Sequence, residues 1–598
     1  MVSANLRSVV GCGNDTAHPQ ETFSNLPTSH LLKVLALSVI AVGLSLRLLL
    51  SAHPLLLDTD EVAIVDHALR MFNEGPNPRY FIYPTLFIYL VAFSEAIVFG
   101  VCWLWGITPT PASFADWYFT DPRYVYWTAR LWSVAAGSAT LVLVYYLGRL
   151  LWSTQAGLWA AAFLAASPMH IYYSAIAKTD AAMVFAMQLA VLLAVRYHSE
   201  RRLGLQVGSA ALSGCSASLK YPGGAALFAA AVALLLNPVS RGRSLGLRLR
   251  DLGLIGVIAT AVFFAGSPFV LLDPEKFHLD MMIHLHIGTH RLPGTEGDMV
   301  WALYWWRYLP EALSFPILGL AMWGAVCMFR QDWRTTVIVL VPIAVYIIPL
   351  FVAAYARAGY LLPLLPTLCV CAGIGLERCR LEVSGALRFQ PVLRGGVAIL
   401  CVSSSLYAAI CSQIRVTRGT TPEQTAGWIR EHLPPGSRIF GTAAGMTLPL
   451  TDERLAELLA ESTKDRPAGG ARMRFLQRTT PTGTGYAFYD MDKYVVTSRT
   501  VELRHLELNP EWIMMKGIQY VVIREESLRG FLMAPDRHPG PMQFLRWVED
   551  HGKLLFTTHP GSHGYTDWRG EPAPARALEP RCGWMGGELR VYQIKTSS

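Results

Sequence analysis

Residues 31–71 read LLKVLALSVIAVGLSLRLLLSAHPLLLDTDEVAIVDHALRM. The first two thirds form an apolar run long enough to cross a bilayer as a helix. Asp58, Asp60 and Glu61 then arrive within four residues, with Asp66 a turn further on. The preceding 30 residues are polar, so the run reads as an uncleaved anchor and not as a signal peptide. A hydrophobic span that opens onto an acidic turn fixes the fold class and points to the site.

The rest of the chain repeats the first half of that pattern. Of 598 residues, 52% are hydrophobic and 16% charged, against roughly a quarter charged in soluble domains. Further apolar segments lie near 130–149, 156–176, 181–198, 205–219, 222–236, 252–272, 312–329, 335–354, 360–376 and 394–412. With the first they make about eleven transmembrane helices of a polytopic α-helical protein. The stretch 81–105 is also apolar, but Pro84 breaks it and Glu95 interrupts it. It reads as a helix lying in the interface. One set of loops then collects Arg196, Arg201, Arg202, Arg241, Arg243, Arg248 and Arg250, and the opposite set collects the acids. By the positive-inside rule the acidic turn faces the exoplasmic side. The ten cysteines show no paired framework, which argues against a disulfide scaffold or a zinc ribbon.

From about residue 414 the composition becomes that of a soluble domain. TPEQTAGWIREHLPPGSRIFG (421–441) reads as a capped helix, a Pro-Pro-Gly turn and a strand. EWIMMKGIQYVVI (511–523) reads as helix, glycine stop and buried strand, and GGELRVYQI (586–594) as a closing strand. The expected organisation is a cytoplasmic tail over 1–30, a membrane domain over 31–413 with a first exoplasmic loop at 52–128, and an exoplasmic α/β domain over 414–598.

The acidic turn has a local reading and a chemical one. Asp58 can cap a helix with Glu61 closing a capping box, which leaves Asp60 without a local task. Chemically, a carboxylate at the membrane boundary suits a general base acting on a hydroxyl. Asp180, beside Lys178 in AIAKTDAAM, falls on the same side, as do Lys220 in SLKYPGG and Arg357 in YARAGYLLPLLP. Ionisable residues at that depth mark functional sites, and guanidinium groups suit phosphate. His284, His286 and His290 in MIHLHIGTHRLP have spacings that a metal accepts, but with no acid or cysteine beside them substrate binding is preferred and no metal cofactor is expected.

The Asp60-Glu61 pair, the Thr179-Asp180 step, SLKY at 218–221 and RAGYLLPLLP at 357–366 resemble the GT-C membrane glycosyltransferases, nearest to the protein O-mannosyltransferase and aminoarabinose transferase group. SPFVLLDPEKFHLD (267–280), WIREHLPPGSRI and GIQYVVI are similar to bacterial members. The resemblance implies transfer of a sugar from a polyprenyl-phosphate carrier to a hydroxyl on a protein, lipid or glycan acceptor, with inversion and without nucleic acid. It makes Asp60 the base, Glu61 its partner, Asp180 the second acid, and Arg357, Lys220 and Lys178 the phosphate holders. The three histidines and Asp58 are then left for substrate, Asp58 having no clear counterpart in the family and standing as the alternative to Asp60 for the base; the implied setting is a bacterial inner membrane with the site facing the periplasm. Trp305-Trp306 is followed by Arg307, so the WWD signature of oligosaccharyltransferases is absent. A carrier-lipid transporter would instead show mid-membrane charge pairs and internal symmetry. A non-catalytic scaffold would be indifferent to loss of Asp60.

Overall fold

The computed structural model describes residues 26–52, 59–237, 244–289, 300–353, 356–383, 390–418, 420–441, 446–463, 471–481, 483–491, 510–524, 536, 539–558 and 588–595. The chain is a polytopic helical membrane protein followed by a small α/β unit. Helices α1 (Leu26–Ser51), α2 (Thr59–Glu74), α3 (Leu86–Leu104), α4 (Pro111–Thr120) and α5 (Arg123–Leu151) come first. They are followed by α6 (Thr154–Ala166), α7 (Pro168–Ala175), α8 (Thr179–Glu200), α9 (Leu203–Leu219) and α10 (Leu227–Leu236). Helices Leu245–Gly266, Pro274–Thr289, Phe315–Gln331, Trp333–Val352, Leu364–Val383 and Gln390–Arg418 complete the membrane part.

All the apolar segments read from the sequence are helical, but they differ in length. Six described helices are long and apolar enough to cross a membrane, and the pair Val300–Leu313 and Phe315–Gln331, bent by 100°, adds a seventh if taken as one span. The expected span 156–176 is broken because the Ser167 hydroxyl accepts from His170 N and Pro168 follows at the first helical position, which starts a new helix. The bundle packs closely through small residues. A Cβ on Gly324 would overlap the Cys371 carbonyl, and one on Gly375 the Leu320 carbonyl, so Phe315–Gln331 and Leu364–Val383 touch backbone to backbone.

Helix α3 passes the length and apolarity criterion for a span. At its start the Thr85 N–H donates to Ser267 Oγ (3.0 Å) and the Thr85 hydroxyl to the Gly266 carbonyl (3.2 Å). Towards its far end Phe99 packs on Phe114 of α4 (centroids 5.3 Å). Tyr118 of α4 donates to Asp66 of α2, and Arg130 of α5 reaches the carbonyl of Ser51, where α1 ends.

The C-terminal unit holds a five-stranded sheet in the order β2-β1-β3-β5-β4, built from β1 (Arg438–Gly441), β2 (Ala487–Asp490), β3 (Tyr520–Arg524), β4 (Gly552–Thr557) and β5 (Leu589–Ile594). The first three are parallel, and β5 pairs antiparallel with β3 and β4. Thr420 and Glu423 form a capping box on helix Thr421–His432, and Gly517 takes a positive φ of 60° between helix Pro510–Met515 and β3. This unit rests on the membrane part through Arg478–Asp116 (2.8 Å) and the Phe119–Phe475 ring contact (5.6 Å).

Candidate active site

The site forms where helix ends converge. Helix α2 carries Asp60 and Glu61 in its first turn, where the helix dipole favours anions. It is seated by Ile64, Val65 and Ala68, all fully buried. Glu61 is also fully buried. It accepts from Arg130 Nε (2.8 Å) and Nη2 (2.9 Å), and from the backbone N–H of Ala177 (2.7 Å). Its carboxylate thus ties α2 to α5 and to the extended joint between α7 and α8. Asp58, the expected cap, lies outside the described residues.

Asp60 faces the other way. Its Oδ2 accepts from Lys178 Nζ (2.8 Å) and the Tyr83 hydroxyl (2.8 Å), and Arg357 Nη1 lies 3.5 Å away. Lys178 stands in extended backbone immediately before α8. Asp180, in the first turn of that helix, accepts from Lys220 Nζ (2.6 Å), which lies at the end of α9. The rings of Tyr83 and Tyr360 face the Lys220 ammonium at 5.7 Å and 5.5 Å. Arg357 is fixed from behind, its backbone N–H donating to the Tyr304 hydroxyl (3.3 Å). Tyr83 is held by its own loop: Phe81 N–H donates to Asp280 Oδ2 (2.8 Å), and the Tyr221 hydroxyl donates to the Phe81 carbonyl (2.8 Å).

Three cations, Lys178, Lys220 and Arg357, here face two carboxylates, Asp60 and Asp180. The cluster has one positive charge in excess and sits in a mostly buried, low-dielectric setting that strengthens each pair. Burial by itself would raise the Asp60 carboxyl. The charges of Lys178 and Arg357, with hydrogen bonds from Lys178 and Tyr83, outweigh burial and hold it well below the usual carboxylate range. His284 also belongs here, since burial and then the positive charges of Lys220 and Arg357 push its pKa down.

The structure therefore brings together Asp60, Lys178, Asp180, Lys220, Arg357 and His284. Asp58, His290 and the side chain of His286 lie outside the described residues. Among the described residues no group of three or more His, Cys, Asp or Glu side chains is placed to hold a metal ion. Sequence reasoning missed Tyr83, Arg130 and Tyr304. Arg130 carried a signal, because a cation at the start of an apolar span needs a buried partner. The two tyrosines were hidden among many interfacial aromatics.

The architecture is that of a polytopic membrane protein with a carboxylate–cation cluster at one end of its helices. Residues 124–266 match the dolichyl-phosphate-mannose-protein mannosyltransferase family. The resemblance read from the sequence is borne out over that segment, which carries Arg130, Lys178, Asp180 and Lys220. No curated protein matches the chain. Among solved structures, ArnT from Cupriavidus metallidurans bound to undecaprenyl phosphate is 14% identical. It covers 96% of this chain and 99% of its own, with a TM-score of 0.45. The oligosaccharyltransferase AglB from Archaeoglobus fulgidus, in complex with an inhibitory peptide and a dolichol-phosphate, is 12% identical. It covers 90% of this chain and 74% of its own, with a TM-score of 0.46.

Proposed function

We propose that the protein is a membrane glycosyltransferase that moves a hexosyl or pentosyl group from a polyprenyl-phosphate carrier to an acceptor hydroxyl on the exoplasmic face. The observation that carries this reading is the convergence of Asp60 with Lys178, Lys220 and Arg357 from separate segments of the chain. The carrier phosphate is held by the cationic cluster, with Arg357 supplying the planar fork. Tyr304, whose hydroxyl accepts from the Arg357 N–H, also lines a shallow apolar depression with Trp301, Trp305, Ile347, Leu350 and Phe351, an apolar surface beside the cations. Asp60 takes the proton from the acceptor O–H as that oxygen bonds to the anomeric carbon. The bond from the anomeric carbon to the phosphate oxygen breaks, and its electron pair leaves with the phosphate, where the cations stabilise the growing charge. One displacement inverts the anomeric centre. Glu61 and Arg130 hold α2 in register. The positive-inside distribution of arginines supports a site outside the cytoplasm, as expected of a bacterial inner-membrane enzyme.

The test is to offer purified full-length protein a panel of radiolabelled polyprenyl-phosphate sugars and follow release of free carrier. Turnover of one or more donors is the expected result. Carrier movement across liposomes without sugar release from any donor would transfer the case to a lipid transporter.

A further inference from the structure

The cations that a donor phosphate needs are already occupied. Lys178 Nζ and Arg357 Nη1 both address Asp60 Oδ2, at 2.8 Å and 3.5 Å, and Lys220 Nζ addresses Asp180. The side chains of Lys178 and Arg357 are almost fully buried, so neither swings out to meet a ligand while keeping its present partner. A carboxylate gripped by two cations also attracts a proton poorly. Tyr83 differs from both. Its hydroxyl donates to the same oxygen at 2.8 Å but carries no charge, and its loop is anchored by Asp280 and Tyr221. An arriving phosphate therefore competes with Asp60 for the two cations and leaves the Tyr83 contact in place.

We infer that the donor's phosphate takes Lys178 and Arg357 away from Asp60, so that the acid is released to work as a base only in the donor-loaded enzyme, with Tyr83 retaining it in position. This rests on the transferase reading above. It goes further by making the empty site self-inhibited and by imposing an order, donor before productive acceptor. Such an order keeps the base idle when no sugar is bound.

The experiment measures affinity for undecaprenyl phosphate, the carrier without its sugar, in full-length protein reconstituted in nanodiscs. Competition predicts that Asp60→Asn, which frees both cations, binds the carrier at least tenfold more tightly than wild type. Equal or weaker binding in a variant that keeps its unfolding transition overturns the inference while leaving the transferase reading intact. Failure of wild type and variant alike to bind overturns both. A second measurement needs no change at Asp60: carrier binding to wild type should shift the infrared carboxylate stretch that Asp60→Asn removes, and an unshifted band under saturating carrier counts against the proposal. For Tyr83, the Phe variant should keep carrier affinity and the donor KM and lose about tenfold in kcat. A raised donor KM with kcat intact would make Tyr83 a donor contact and refute the retaining role.

Discussion

Replacing Glu61 by Gln tests whether this residue positions the site or touches the substrate. In the structure its two oxygens receive two guanidinium N–H bonds and one backbone N–H bond, and nothing of the side chain is exposed. Glutamine keeps the shape but removes the charge, and its amide N–H₂ must face either Arg130 or the Ala177 N–H, donor against donor. Arg130, 2% exposed, then loses the negative charge of Glu61 beside its guanidinium. Breaking a buried ion pair from one side costs about 3–5 kcal/mol, so the unfolding midpoint in detergent should fall clearly and transfer should fall with it. Adding Arg130→Met removes the stranded charge and restores most of the midpoint, since apolar replacement of a buried pair is often neutral. The measurement is chemical unfolding followed by tryptophan fluorescence, beside donor turnover. A Glu61→Gln enzyme as stable as wild type but inactive would refute the reasoning and move Glu61 into the substrate-binding surface.

Arg357→Ala should raise the donor KM by roughly 10- to 100-fold, from loss of charge-assisted bonds worth about 1.5–3 kcal/mol; Arg357→Lys recovers part of this, because it keeps the charge without the fork. Gly324→Ala drives a methyl into the Cys371 carbonyl and should cost about 1–3 kcal/mol or more, seen as a lower unfolding midpoint with the donor KM unchanged. His284 has a folded pKa held down by burial and by Lys220 and Arg357, so below about pH 6.5 the unfolded chain binds the extra proton first and stability falls as the solution is acidified. His284→Gln should remove that component of the acid-side loss in a midpoint-versus-pH series. Asp60 has the same sense in a more acidic window. With its pKa held down in the fold, its contribution to stability is complete above about pH 4 and is lost only as pH drops further through the folded value, so Asp60→Asn leaves the slope of the midpoint between pH 5 and 7 unchanged.

The membrane helices were legible because apolar length is a one-dimensional signal, and so was the C-terminal unit, whose Thr420 cap, Gly517 stop and β5 run are local turn chemistry. Asp60, Lys178, Asp180, Lys220 and Arg357 stood out for a related reason: each is an ionisable residue beside the end of an apolar segment, where charge is expensive without a partner. Pairing was not legible. Which cation meets which acid depends on contacts such as Lys178 with Asp60 and Arg130 with Glu61, 118 and 69 residues apart along the chain. On α2, Ile64, Val65 and Ala68 are buried while Phe72 is 56% exposed, since the Glu61–Arg130 clamp sets the rotation of the helix.

The central claim is that Asp60 is the group that removes the acceptor's proton. Its most direct test is single-turnover transfer from a saturating polyprenyl-phosphate sugar by Asp60→Asn, shown to be folded and carrier-bound. General-base catalysis contributes typically 10²–10⁴-fold, and a loss of that size in the chemical step is the predicted result. Transfer at the wild-type rate would contradict the account and hand the proton to another group, with Asp180, held 2.6 Å from Lys220, next in line.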